Sequence, residues 1–200
     1  MPNLIVFSDT KLKNRLDRLS CSRIVVFSAC CAEKLLPAYA RFAAKASLSS
    51  SQALLYRNAL DSVWNCVSSK NWNHATLVGL EQECLHAIPS PEIAREYQEP
   101  YAEDAGAAAT FALRALLTCD SMNALWAARR VYEALDNFVI CTVAGVESDE
   151  HLILAHPLIQ DELNFQDEDL TLLEAVTQDG ETNLFTELRK KSVARSKSIF

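Results

Sequence analysis

The chain has 200 residues, 50% of them apolar and 22% charged, which is typical of one globular domain and excludes a disordered chain. Its net charge of −7 disfavours nucleic acid and anionic membranes as partners. The sequence has neither the run of roughly 18 apolar residues of a transmembrane helix nor the basic start of a secretory signal, so we expect a cytoplasmic protein.

The first helices follow from the apolar periodicity of the amino-terminal part. Asp9 or Thr10 is predicted to cap a short helix, and a longer helix covers residues 20–46. The first half of the longer helix, residues 23–32, is apolar on nearly all sides, which predicts a helix at the centre of the fold. Pro37 lies inside this helix and predicts a kink or a break, because proline removes a backbone donor and clashes with the preceding turn.

The rest of the chain also has helical periodicity. The whole sequence contains only four Gly and six Pro, a low content that favours long helices. Further helices are predicted at residues 52–68, 73–88, 102–117, 122–144, 157–178 and 181–195. Asn73 and Ser121 are expected N-caps, and the Pro-rich connection 88–100 is the best candidate for a loop. The sequence therefore predicts an all-α, single-domain bundle (residues 1–200) of seven to eight helices around a buried, Pro-interrupted central helix, with a basic, flexible tail over about residues 190–200.

Seven cysteines are distributed along the chain at irregular spacing. They are Cys21, Cys30, Cys31, Cys66, Cys84, Cys119 and Cys141. An odd number inside helical, apolar stretches is unlike a disulfide framework, so we expect buried free thiols in a reducing compartment.

No motif carries identifiable chemistry. The sequence contains no Gly-rich phosphate loop, no nucleophile elbow, no Cys-x-x-Cys and no His-Glu-x-x-His. Glu83-x-x-His86 is a single Glu-x-x-His, whereas a helical di-iron site uses two with further carboxylates. The sequence predicts neither a metal nor a cofactor and favours a non-catalytic protein over an enzyme.

Four charged residues stand where apolar ones are expected: Glu33, Arg57, Asp61 and Asp104. An isolated buried charge is costly, so these side chains are predicted to pair inside the bundle. Two interpretations stay open. The cluster is either a satisfied network that determines helix register, or a polar pocket that binds a small anion or offers a carboxylate as a base.

Charge is distributed unevenly along the chain. Residues 131–188 hold fourteen Asp and Glu and neither Lys nor Arg, whereas the last twelve residues hold five basic residues and no acidic one. The acidic segment predicts a docking surface that steers a basic protein partner, or else a solvated face that aids solubility. The residues expected on this surface are Glu147, Asp149, Glu150, Asp161, Glu162, Asp167, Glu168 and Asp169.

Several runs of residues resemble a known family. They are residues 27–39 (FSACCAEKLLPAY), residues 56–64 (YRNALDSVW), Ile88-Pro89, the Ala102-x-Asp104-Ala105 run, and residues 156–162 (HPLIQDE) followed by Gln166 and Leu172-Leu173. Together they are similar to the bacterial YjaG-like family, domain of unknown function 416, from about residue 12 to residue 189. Ala38 departs from the usual Asn. The resemblance implies an all-helical, cytosolic bacterial protein with a signalling role in company with histidine kinases, and it transfers no catalytic residue.

These observations leave three functional hypotheses. The leading one is a non-catalytic protein-interaction module, either a signalling adaptor or an inhibitor or immunity protein that blocks a basic toxin. The second is a small-molecule binder or enzyme that uses the four charged residues around a pocket. The third is a homo-oligomer with a structural role.

Overall fold

The computed structural model describes residues 4–145 and 149–198. Over these ranges the chain forms ten α-helices, two short 3-10 helices and no strand, which confirms the all-α prediction. The α-helices are α1 (Asp9–Leu16), α2 (Cys21–Lys45), α3 (Ser50–Ser69), α4 (His74–His86), α5 (Pro91–Glu96), α6 (Ala102–Thr118), α7 (Ser121–Thr142), α8 (Glu150–Leu154), α9 (Pro157–Ala175) and α10 (Glu181–Arg195). None of the helices in this described part combines the length and apolar character that a bilayer crossing needs.

Helix α2 is the centre of the bundle. Seventeen of its 25 residues are buried, and it packs against α3, α6, α7, α9 and α10. Of the kink or break expected at Pro37, the break does not form, since α2 continues through this residue as one helix. Packing on both sides of Pro37, where Leu36 and Ala38 are buried, compensates for the hydrogen bond that proline cannot make.

Helix α6 packs closely on α2 because its buried residues are mostly Ala and Gly. Gly106 lies against Tyr56 of α3, and a Cβ atom at this position would lie 2.8 Å from the Tyr56 hydroxyl oxygen. Tyr56 is fully buried and donates a hydrogen bond to the carbonyl oxygen of Cys84 in α4, at 2.9 Å. The small residues of α6 therefore let one tyrosine join three helices.

Most helix boundaries agree with the predictions from capping chemistry. The side chain of Asn73 caps α4 as expected, and Pro157 occupies the first turn of α9. The cap of α7 is Asp120 and not Ser121, because the Asp120 carboxylate accepts from the backbone N–H of Met122. The Pro-rich connection 88–100 contains the short helix α5.

The basic segment after residue 189 differs from the flexible tail that its composition suggests. Residues 190–195 complete α10, and a 3-10 helix (Ser196–Ser198) follows. Ser192 and Ser196 are buried, and the Arg195 guanidinium bonds both carboxylate oxygens of Asp169 in α9, at 3.0 and 2.9 Å. This part of the segment is thus bound to the bundle by charge and burial.

The cysteines also differ in part from the prediction. Cys30, Cys31, Cys66 and Cys84 are buried free thiols, as expected. Cys141 is exposed, and Cys21 and Cys119 form a disulfide between the start of α2 and the end of α6. The sequence does not indicate this pairing because 98 positions separate the two residues.

We predict that Gly106→Ala destabilises the protein by about 1–3 kcal/mol, because the new Cβ must displace a tyrosine that is buried and hydrogen-bonded. Gly79→Ala in α4 is the matched control, since its Cβ would meet no atom within 4 Å. Alanine there should raise stability by up to about 1 kcal/mol through helix propensity alone. Urea unfolding of both variants measures the difference, and equal stability of the two would contradict the close approach at Gly106.

Candidate functional site

Glu33 forms the most completely bonded carboxylate of the predicted set. It lies on the buried face of α2 and is 1% exposed. Arg57 of α3 donates two hydrogen bonds to it, from Nη1 to Oε1 at 2.9 Å and from Nη2 to Oε2 at 2.7 Å. The indole N–H of Trp64 donates a third, at 3.0 Å to Oε1. This bonding compensates for the removal of the carboxylate from water.

A second arginine completes this arrangement from α10. The Arg189 guanidinium bonds Asp61 of α3, lies 3.7 Å from Oε1 of Glu33 and lies over the ring of Trp64. Arg57 also reaches Asp61, with 3.6 Å between Nη1 and Oδ1. We call Glu33, Arg57, Asp61, Trp64 and Arg189 the Glu33 cluster. It holds two positive and two negative charges, so it is internally balanced and joins α2, α3 and α10.

The Glu33 cluster keeps Arg57 in the charged form. Burial lowers the pKa of Arg57, but the hydrogen bonds and charge of Glu33 and the charge of Asp61 raise the pKa by more, so that it lies above the ordinary value. Arg57 is 32% exposed, so one side of the guanidinium faces the solvent. It lines, together with Glu33, an open cleft of about 370 Å³ whose other walls are mostly apolar.

Asp104 lies apart from the other three predicted residues. It is on the first turn of α6 and pairs with Arg130 of α7, with 3.2 Å between Oδ1 and Nη1. The prediction that it joins the Glu33 cluster is therefore wrong. Helix α6 packs on both α2 and α7, and the amino-acid pattern of α6 does not indicate which neighbour receives the first turn.

The surroundings of Asp104 form a cleft of about 590 Å³ between α5, the start of α6 and the middle of α7. We call it the acidic cleft. Four carboxylates line it together with two arginines: Glu103, Asp104, Glu133, Asp136, Arg95 and Arg130. Burial raises the pKa of Asp104 to about 6, with Glu103 and Glu133 adding to the rise and Arg130 opposing it. Burial also raises the pKa of Asp136, and Glu133 and Glu150 increase it further.

Two residues predicted for the acidic docking surface are buried. Glu162 accepts from the Lys34 ammonium at 2.7 Å and from the Gln166 amide at 2.8 Å, and Lys34 itself is 0% exposed. Asp169 is 1% exposed and paired with Arg195. Their placement on a surface was wrong because the face of α9 that carries them packs against α2 and α7 and is reached by Arg195 at the end of α10. Residues 162, 166 and 169 are spaced by four and three, a helical stripe that could have indicated this.

The pKa of Lys34 reflects both its burial and its partner. Burial lowers the pKa of Lys34, but the neighbouring Glu162 raises the pKa by more, and Cys31 and Asp169 add to the rise. Lysine therefore stays charged inside the core. Sequence reasoning missed Lys34 because it lies beside Glu33 at the end of an apolar run and was not distinguished from an exposed lysine.

The other predicted docking residues do not share one free acidic face. Asp167 pairs with Arg15, and Glu168 lies 3.3 Å from Arg195. The Asp149 carboxylate caps α8, while Glu150 and Asp161 are exposed. Glu147 lies outside the described residues. Within the described ranges, no group of three or more His, Cys, Asp or Glu side chains is arranged to hold a metal ion.

We predict that Arg57→Met lowers stability by about 3 kcal/mol, the lower end for breaking a buried ion pair, because Arg189 remains close to Glu33. The melting temperature should fall by about 6–12 °C. Lys191→Met removes an equal charge from an exposed pair with Glu187 in α10 and should change little. Calorimetry tests both variants, and normal melting of Arg57→Met would show that Glu33 does not depend on this arginine.

Comparison with known proteins places the chain in a family. A search of curated proteins finds no match. The crystal structure of a DUF416 family protein from Shewanella baltica OS155 has the same fold, with a TM-score of 0.75 at 19% sequence identity, over 91% of this chain and 93% of that chain. The family model described as "Protein of unknown function (DUF416)" matches residues 11–199. Since this match spans nearly the whole sequence, the chain belongs to the DUF416 family.

Proposed function

We propose that this protein is a non-catalytic protein-interaction module whose acidic cleft receives a basic segment of a partner protein. One observation carries the proposal. The carboxylates Glu103, Asp104, Glu133 and Asp136, from two different helices, line one open cleft, and among its described lining residues only Arg95 and Arg130 are cations. At neutral pH the lining is therefore negative, whereas the Glu33 cluster is balanced.

Mutual repulsion in the acidic cleft supports a cationic ligand. Burial raises the pKa of Asp104 most, Arg130 opposes the rise, and the like charges of Glu103 and Glu133 add to it. Burial, Glu133 and the neighbouring Glu150, which lies outside the cleft lining, likewise raise the pKa of Asp136. A lysine or arginine side chain placed among these groups would relieve the repulsion. Attraction of this kind also raises the rate of encounter at low salt.

The uncharged walls of the acidic cleft favour a protein segment over a free ion. Tyr101, Pro91 and Pro100 line it beside the carboxylates. The ring of Tyr101 is held by Phe138, with 6.1 Å between the ring centroids. Aromatic and proline surfaces pack well against the aliphatic stems of lysine and arginine while the charged head groups bind carboxylates.

Two biological roles fit a basic partner. One is a signalling adaptor associated with histidine kinases, and the other is an inhibitor or immunity protein for a basic toxin. Affinity capture from native lysate at low and high salt, with the bound proteins identified by mass spectrometry, separates them. Recovery of a kinase at low salt supports the adaptor, and recovery of a basic secreted enzyme supports the inhibitor.

We predict that a fluorescent hexa-arginine peptide binds the protein at low salt, and that Glu103→Gln with Glu133→Gln weakens binding about tenfold or more. The matched control is Asp161→Asn with Glu168→Gln on α9, which removes the same charge from exposed positions outside the cleft. Fluorescence anisotropy measures both. Equal loss in the two double variants would mean that only net charge matters and that the cleft is not the site.

We further predict that peptide affinity falls as the pH is lowered from about 7.5 to 5.5, because Asp104, with a pKa of about 6, becomes neutral over this range. A neutral carboxyl attracts a cation less than a carboxylate does. Asp104→Asn should bind weakly at both pH values and flatten the profile. A variant that kept the full pH dependence would show that another group causes it.

A second candidate function is small-molecule binding in the cleft beside the Glu33 cluster. Its support is that the cleft reaches Arg57 from the solvent and is lined by Leu36, Tyr39 and Leu54, a setting for an anion with an apolar body. Aryl carboxylates should then raise the melting temperature with increasing concentration, and Leu54→Glu, at a half-exposed wall position, should abolish the rise. Absence of any rise in the unmodified protein would dispose of this candidate.

A further inference from the structure

The two cysteines that form the disulfide meet at helix ends near the surface. Cys21 is the first residue of α2 and is partly exposed, and Cys119 is the exposed C-cap of α6 in a left-handed conformation. Their Cα atoms are 5.0 Å apart. Because the fold alone brings them together, their pairing requires that α2 and α6 are already packed.

The remaining described thiols are poorly suited to exchange. Thiol–disulfide exchange requires a thiolate that a reagent can reach. Burial raises the pKa of Cys31 and of Cys84 to about 12, and it raises the pKa of Cys30 and Cys66 as well. Cys141 is exposed but lines the acidic cleft, beside carboxylates that repel an anionic reagent such as glutathione.

We propose that Cys21 and Cys119 form a reversible, redox-responsive disulfide that clamps the start of α2 to the end of α6. Oxidised glutathione, a low-molecular-weight disulfide, supplies the oxidising equivalents. The thiolate of Cys119, the more exposed residue, attacks one glutathione sulfur, forms a mixed disulfide and releases one glutathione thiolate. The thiolate of Cys21 then attacks the Cys119 sulfur and releases the second glutathione, so one disulfide is reduced as one is formed.

The fold accommodates both the oxidised and the reduced form of the Cys21–Cys119 pair. The helices that the disulfide joins pack against each other along their lengths, and Ile24 in α2 and Leu116 in α6, one turn from the cysteines, are buried. Reduction therefore leaves the interface formed. Closing the bond restricts the unfolded chain across a sequence separation of 98, which favours the folded state. The clamp thus changes stability without requiring a change of fold.

Full-length protein equilibrated in a series of glutathione redox buffers tests this proposal. The protein should lose two maleimide-reactive thiols as the buffer becomes oxidising, peptide mapping should join Cys21 to Cys119, and the melting temperature should rise by about 5 °C or more. Cys119→Ser should abolish the thiol loss and the rise, whereas Cys141→Ser should keep both. A bond that never forms, one that stays closed in the most reducing buffer, or a different pairing would each overturn the proposal.

Discussion

Two adjacent, opposite charges buried on the central helix restrict how the rest of the bundle can dock. Glu33 and Lys34 follow one another on α2, and because successive helical residues point about 100° apart, they face different neighbours. Glu33 is bonded by Arg57 from α3, and Lys34 by Glu162 from α9. Shifting either neighbour by one turn would leave a charge buried without its partner, at a cost of several kcal/mol. The two charges therefore specify register on two sides of α2 at once.

Helix α10 also pairs its charges with those of other helices, and these pairs offset part of the uneven charge of the sequence. Its two arginines, Arg189 and Arg195, are bound to carboxylates in α3 and α9. Arg15 of α1 similarly bridges Asp167 and Glu174. Much of the negative charge between residues 131 and 188 is thus compensated inside the molecule by basic residues from elsewhere in the chain. The acidic cleft between α6 and α7 keeps an excess of negative charge. This excess makes the cleft the better candidate for binding a basic partner.

Local chemistry predicted the helices well, and tertiary packing explains what it missed. The Asn73 cap, the Pro157 first turn and the extent of α10 depend on a few consecutive residues, so periodicity and capping identify them. The grouping of Glu33, Arg57 and Asp61 follows from the sequence because charged residues on apolar helix faces need partners, and Arg57 and Asp61 are one helical turn apart. The placement of Asp104 depends on which neighbour the first turn of α6 meets, and periodicity within one helix does not contain that information. The Cys21–Cys119 contact is also non-local.

The contact between Tyr56 and Gly106 has an evolutionary consequence. The tyrosine hydroxyl occupies the space that a side chain at position 106 would need, and it is anchored to a carbonyl oxygen of a third helix. A methyl group enters at position 106 without loss of stability only if the side chain at position 56 becomes shorter. Homologues should therefore vary at positions 56 and 106 together, with a smaller residue replacing tyrosine where alanine replaces glycine. The combined volume of the two side chains is then conserved, although neither residue type is.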